Sequence, residues 1–113
     1  MAVARADSLR SVAFGSITGS YTVLGGVLAH NWRIFKLTNN TDADMLISFD
    51  GTTDNLFLPA SSFTLYDLST NAPPLSEVDN LVLALQTQFY LKYNTIAPTE
   101  GAVYLEGIYA KGD

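Results

Sequence analysis

The chain predicts an all-β fold, an antiparallel β-sandwich of about eight strands with a jelly-roll-like layout. Three observations carry that expectation. Short runs rich in Val, Ile, Leu, Phe, Tyr and Thr recur along the sequence at spacings of about 8 to 12 residues. Gly, Pro, Asn and Asp separate them, each suited to turns by backbone freedom or by side-chain bonds to the local backbone. No segment keeps a helical apolar period over about 12 residues. At 113 residues the chain makes one domain and can bury roughly two-thirds of its unfolded surface, enough for one core without disulfides or a structural metal.

Taken in order, "MAVARADSLRS", residues 1–11, has little pattern of its own. It reads as an N-terminal arm, laid on a neighbouring subunit and ordered only in an assembly, ahead of a single sandwich domain over 12–113. "SVAFGS" is the first strand-like run, with Leu9 leading in. "YTVLGGVLA" reads as two short strands joined at Gly25-Gly26, a pair that tolerates the positive φ of a hairpin turn. "WRIFKLTN" alternates: Trp32, Ile34, Lys36 and Thr38 point one way, and Arg33, Phe35, Leu37 and Asn39 the other, the second set being the deeper. "MLISFD" sets Met45, Ile47 and Phe49 against Leu46, Ser48 and Asp50. "NLFLPA" ends at Pro59, which suits a strand end. "SFTLYDL" sets Phe63, Leu65 and Asp67 against Thr64, Tyr66 and Leu68. "STNAPPLSEVDN" is irregular around Pro73-Pro74, with room for one helical turn. "LVLAL", "QFYLKY" and "AVYLEGIYA" complete the strands.

Composition narrows the chemistry. The chain has no cysteine, which excludes thiol catalysis, Cys-ligated zinc and disulfides. His30 is the only histidine, so no multi-His metal site forms within one chain. The net charge is −5 and the six basic residues are scattered, so no nucleic-acid stripe is expected. The N-terminus carries two arginines and an aspartate where the apolar core of a signal peptide would lie, so none is expected. No apolar run reaches about 18 residues, so no membrane-spanning helix is expected. Hydrophobic residues make up 48% of the chain and charged ones only 15%, against about 25% in a typical soluble domain. A surface that poor in charge points to a component partly covered by a partner.

The residues able to do chemistry have plain structural readings beside them. "TDADMLISFDGTTDN" holds Asp42, Asp44, Asp50 and Asp54. A strand separates Asp44 from Asp50 by roughly 17–20 Å, so the two acidic clusters cannot share a cation or act as one catalytic pair. The apolar "MLIS" also breaks the spacing of a calcium loop. His30 lacks an accompanying nucleophile motif and reads as a turn residue. Glu100 and Glu106 could each pair with another carboxylate as a glycosidase requires, but Glu106 lies in a strand and reads as a solvated or interface side chain. "GSITGSYTVLGG" lacks the lysine and helix of a phosphate loop. No enzymatic activity, cofactor or metal site is expected. Tyr90, Tyr93, Tyr104 and Tyr109 crowd the last two strands, as core or as contact surface. Trp32 or these tyrosines could instead form a sugar-stacking platform.

"LTNNTDADMLISFDGTTDNLFLPASSFTLYDLSTN" and "QTQFYLKYNTIAPTEGAVYLEGIYA" together resemble small virion proteins of tailed bacteriophages. Residues 12–110 are compatible with that pattern. Within the group, the chain is similar to the jelly-roll capsid decoration, or cement, proteins of epsilon15-type podoviruses. The resemblance implies a structural virion protein, assembled in the bacterial host cytoplasm. It further implies a homo-oligomer clamped over the major capsid protein or neighbouring virion subunits. A head-to-tail connector, collar or tail component is the alternative within that class, and a carbohydrate-binding β-sandwich module the alternative outside it. Val3, Leu9, Trp32, Tyr90, Tyr104 and Tyr109 are the expected contact residues. The motifs are structural, so the resemblance carries over no catalytic residue.

Overall fold

Residues 3–68 and 82–111 are described by a computed structural model of the chain. Among these residues nine strands follow one another: β1 (Ala4–Ala6), β2 (Arg10–Ala13), β3 (Thr22–Val23), β4 (Trp32–Asn39), β5 (Met45–Ser48), β6 (Leu56–Leu58), β7 (Ser62–Asp67), β8 (Tyr90–Tyr93) and β9 (Ala102–Ala110). Their pairing follows from one long hairpin. Laying β2–β5 back against β6–β9 pairs β2 with β9, β3 with β8, β4 with β7 and β5 with β6. All four pairs are present and antiparallel. Two further pairings, β4 with β9 and β5 with β8, gather the hairpin into two sheets. The first sheet runs β2-β9-β4-β7 and the second β3-β8-β5-β6. Eight strands wrapped in this order are a jelly roll. The ninth, β1, lies on the same edge of β9 as β2.

The core fills from the inward positions of both sheets. Phe35, Leu37, Val103 and Leu105 come from the first; Met45, Ile47, Leu58 and Leu91 come from the second. Phe89, just before β8, joins them at the centre. Its ring centroid lies 5.5 Å from Phe35 and 5.0 Å from Phe49, both edge-on, and 6.0 Å from Trp32. These are separations at which aromatic pairs attract beyond their buried area.

The deeper face expected for β4 is the buried one: Phe35, Leu37 and Asn39 point inward. Trp32 departs from strict alternation. The register against β9 shifts between Trp32 and Ile34, leaving Arg33 as a bulge. An extra residue turns the side chain before it to the other face, so Trp32 joins the core and is fully buried.

Other sequence expectations are revised. Residues 1–11, expected as an arm on a neighbouring subunit, pair within the chain from Val3 on. Ala4, Arg5 and Ala6 stand opposite Ala110, Tyr109 and Ile108, and the Lys111 amide donates to the Val3 carbonyl. The edge of β9 supplies the unpaired backbone groups that make this favourable. The two halves of "YTVLGGVLA" do not pair with each other. Leu24 and Leu28 donate instead to Phe89 and Thr87, so both halves lie along the strand leading into β8. "LVLAL" contributes, among its described residues, a single bridge from Leu83 to Trp32. The segment "STNAPPLSEVDN" lies outside the described residues.

Candidate functional site

The acidic stretch resolves into turns. Asp42 accepts hydrogen bonds from the amide (2.8 Å) and the hydroxyl of Thr99. Asp44 accepts the Ala60 amide at 2.9 Å. Asp50 accepts the Thr52 and Thr53 amides at 2.8 and 2.7 Å, with the Thr53 and Ser48 hydroxyls beside them. Asp54 accepts the Tyr21 hydroxyl at 2.5 Å and lies 3.7 Å from the Lys92 ammonium. The Thr53 and Thr52 amides hold the Asp50 pKa far below the usual carboxylate range, and the Thr99 hydroxyl and amide lower that of Asp42. Such carboxylates stay ionised and act as fixed acceptors rather than proton carriers. Among the described residues no group of three or more His, Asp or Glu side chains is placed to hold a metal ion. His30 stacks face to face on Tyr109, ring centroids 3.8 Å apart. Glu100 lies in the turn before β9, and Glu106 on β9 itself, facing solvent.

The outer faces of the two sheets differ more informatively. On the second sheet, Phe57 and Val23 are about half exposed, and the charged side chain already has partners. Lys92 lies 4.7 Å over the Tyr21 ring and beside Asp54, and Tyr90 packs over Gly51. On the first sheet the outward positions form three rows across the strands. The registers place Asp67, Ile34, Ile108 and Ala6 in one row; Leu65, Lys36 and Glu106 in the next; and Phe63, Thr38, Tyr104 and Ser11 in the third. Leu9, in the joint between β1 and β2, comes level with the middle row. Phe63, Leu65 and Leu9 are 62%, 58% and 61% exposed.

That joint matters because β1 and β2 do not form one continuous strand. Where they part, the face dips into a groove of about 460 Å³, floored by Thr38, Glu106 and Ile108 and walled by Ala6, Leu9 and Tyr104. On the opposite margin Phe63 and Leu65 project from β7. Lys36 leans over the Phe63 ring at 4.7 Å and does not pair with its cross-strand neighbour Glu106. Contiguous exposed apolar side chains around a groove mark contact surfaces, whereas scattered single ones do not.

The six expected contact residues fall in different places. Leu9 and Tyr104 meet at the groove. Val3 is half exposed on the adjoining edge. Tyr90 lies on the outer face of the other sheet, opposite Val23. Tyr109 turns inward and packs against the core. Trp32 is not a surface residue at all: the Arg33 bulge buries it, and its indole N–H donates to Asp7 at 2.9 Å. This also removes it as a sugar-stacking platform. Phe63, Leu65, Ile34 and Ile108 are members that sequence reasoning did not single out. The signal for Phe63 and Leu65 was present in "SFTLYDL", which is apolar on both faces of an edge strand.

No known protein-family model, curated protein or solved structure matches the chain.

Proposed function

We propose that this chain is a structural virion protein of a tailed bacteriophage, serving as a capsid decoration protein that clamps major capsid subunits by burying surface. The observation that carries the reading is a chain poor in charge that exposes apolar side chains on the outer faces of both sheets, Leu9, Phe63 and Leu65 on the first and Val23 and Phe57 on the second. A part that works by burial needs such a face and needs no catalytic constellation. The resemblance of residues 12–110 to small virion proteins supports the same role. Many copies related by shell symmetry make individually modest contacts add through avidity. A clamp across subunit joints also raises the cost of opening a shell under internal pressure.

The test is the copy number of this chain in purified particles, measured by mass spectrometry against the major capsid protein. A ratio near one to one, or a simple fraction of it, supports decoration. A dozen or so copies would move the protein to a connector, collar or tail ring. Finding none would sink the virion reading and make a glycan-binding assay the next step, with the half-buried Tyr90 and Tyr104 as the residues to probe.

A further inference from the structure

We infer that the outer face of the first sheet is self-complementary and docks a second copy of this chain about a two-fold axis. The axis lies between β4 and β9 and runs parallel to them. A rotation about such an axis keeps each residue's height along the strands and exchanges left for right. It therefore brings β4 of one copy over β9 of the other, and β7 of one over the β1–β2 joint of the other.

Each row of the face then meets its own reverse. In the middle row, read from β7 to β9, stand Leu65, Lys36 and Glu106, with Leu9 level with them in the joint. Reversal sets Lys36 of each copy against Glu106 of the other, and Leu65 against Leu9. In the neighbouring rows Ile34 meets Ile108, and Thr38 meets Tyr104. Shape follows the same sense: Phe63 and Leu65 project on the β7 margin, and the groove opens from Ala6, Asp7 and Leu9 on the other margin inward to Lys36 and Thr38.

Charge complementarity selects a second copy over an unrelated partner. The Glu106 side chain forms no hydrogen bond or ion pair with any described residue, and the Lys36 ammonium is engaged only with the Phe63 ring. The two opposite charges thus sit side by side, unspent on each other, at the centre of a face whose apolar residues flank them. An isologous contact uses both twice, giving two Lys–Glu pairs from one patch. The second sheet offers no such arrangement, because Lys92 is already taken by Asp54 and Tyr21. Sheets packed face to face accept strand directions within about 30° of each other, so the twist of the sheet is compatible with the pairing.

The pairing stands on the surface alone and does not depend on the virion reading. Its test uses the purified full chain and sedimentation equilibrium across micromolar concentrations. The wild type is expected to associate to twice the 12.2 kDa chain mass. Lys36→Glu places two negative charges at the centre of the face, and Glu106→Lys two positive ones. Each variant alone is expected to weaken self-association by about tenfold or more, since like charges then oppose across the axis. The deciding measurement is an equimolar mixture of the two variants, which is expected to form mixed dimers at least as readily as the wild type. A change confined within one chain cannot produce that rescue, and circular dichroism of each variant checks that it is folded. A wild type that stays monomeric throughout, a single variant that still dimerises like the wild type, or a mixture that stays monomeric would each overturn the inference. None of these results alters the particle copy number on which the virion reading is tested.

Discussion

Asn39 and Trp32 stand at opposite ends of β4, and the chain buries each by different means. At the Asn39 end the work is done by hydrogen bonds. Its amide nitrogen donates to the carbonyls of Ala43, Leu58 and Pro59 at 2.8, 3.1 and 3.1 Å, and its carbonyl accepts from the amide and hydroxyl of Thr41 at 3.0 and 2.6 Å. One side chain thereby ties the end of a first-sheet strand to the second sheet. Beside it Gly101, at φ +87°, lets β9 begin against the Asn40 carbonyl, where a β-carbon would overlap the oxygen. At the Trp32 end the closure is apolar and distant in sequence. The ring lies on Gly107, the Trp32 and Leu83 backbones exchange hydrogen bonds in both directions, Asp7 takes the indole N–H, and Arg10 lies 5.0 Å from the ring centroid. A polar closure fails by leaving carbonyls unsatisfied. An aromatic closure fails by losing volume fit.

That contrast orders the expected effects of substitution. Asn39→Leu is the largest. It strips the Leu58 carbonyl and the Thr41 amide of the Asn39 side chain and leaves the Ala43 and Pro59 carbonyls to the Thr41 and Ser62 hydroxyls alone; at about 1–3 kcal/mol for each group left unsatisfied, it should cost about 4 kcal/mol or prevent folding. Urea denaturation measures it, and a loss near 1 kcal/mol would mean that water replaces the amide and the end is not sealed. Gly107→Ala comes next, because its β-carbon would enter the Trp32 ring. Overpacking of this kind costs about 1–3 kcal/mol, and the fluorescence of this single tryptophan should shift with it. If Gly107→Ala proves costlier than Asn39→Leu, the aromatic end is the tighter of the two. Asp7→Asn is smaller, about 1 kcal/mol, for a weakened hydrogen bond to the indole and a lost ion pair with Arg10. It too should move the tryptophan emission while leaving the Asn39 end unchanged.

Acid should act on both ends together. Partial burial opposes the Asp7 carboxylate, but the Trp32 N–H, the Ser8 amide and Arg10 outweigh it and hold its pKa below the ordinary 3.8. Asp42 and Asp50 are lowered as well. A carboxylate with a lowered folded-state pKa contributes stability that is complete above its unfolded value and is lost as pH falls through the folded one. Stability should therefore be level in pH above about 5 and fall progressively below about 4. A thermal melt that rose on acidification would contradict the assignment of these carboxylates as ionised acceptors. The smallest effect belongs to Leu65→Ser on the open face. It should change monomer stability by less than about 0.5 kcal/mol, since a half-exposed side chain away from the core loses little. A large loss there would mean that β7 is anchored through its outer side.

Much of the fold was legible because period-2 alternation and turn chemistry are local. Phe35, Leu37 and Asn39 read as the deep face of β4, and they are. The aspartates of "TDADMLISFDGTTDN" read as two turns flanking a strand, and their hydrogen bonds are those of turns. Trp32 was misread for a physical reason: alternation assumes an unbroken ladder, and the Arg33 bulge is set by pairing with β9, some seventy positions away in the chain. The contact surface was legible in part. Leu9 and Tyr104 were picked out by residue type, but their meeting depends on β2 and β9 pairing across nearly the whole sequence.

The sequence by itself determined the all-β class, the strand runs, the turns and the poverty of charge, because each is written in neighbouring residues. Tertiary structure alone decided the rest. It wrapped β2–β9 into the jelly-roll order, drew β1 onto the edge of β9 and moved Trp32 inward. It also brought Lys36 and Glu106 side by side on a face flanked by Leu65 and Leu9. These are pairings between distant strands, and such pairings are chosen by which edges and faces can be satisfied at once rather than by any local preference.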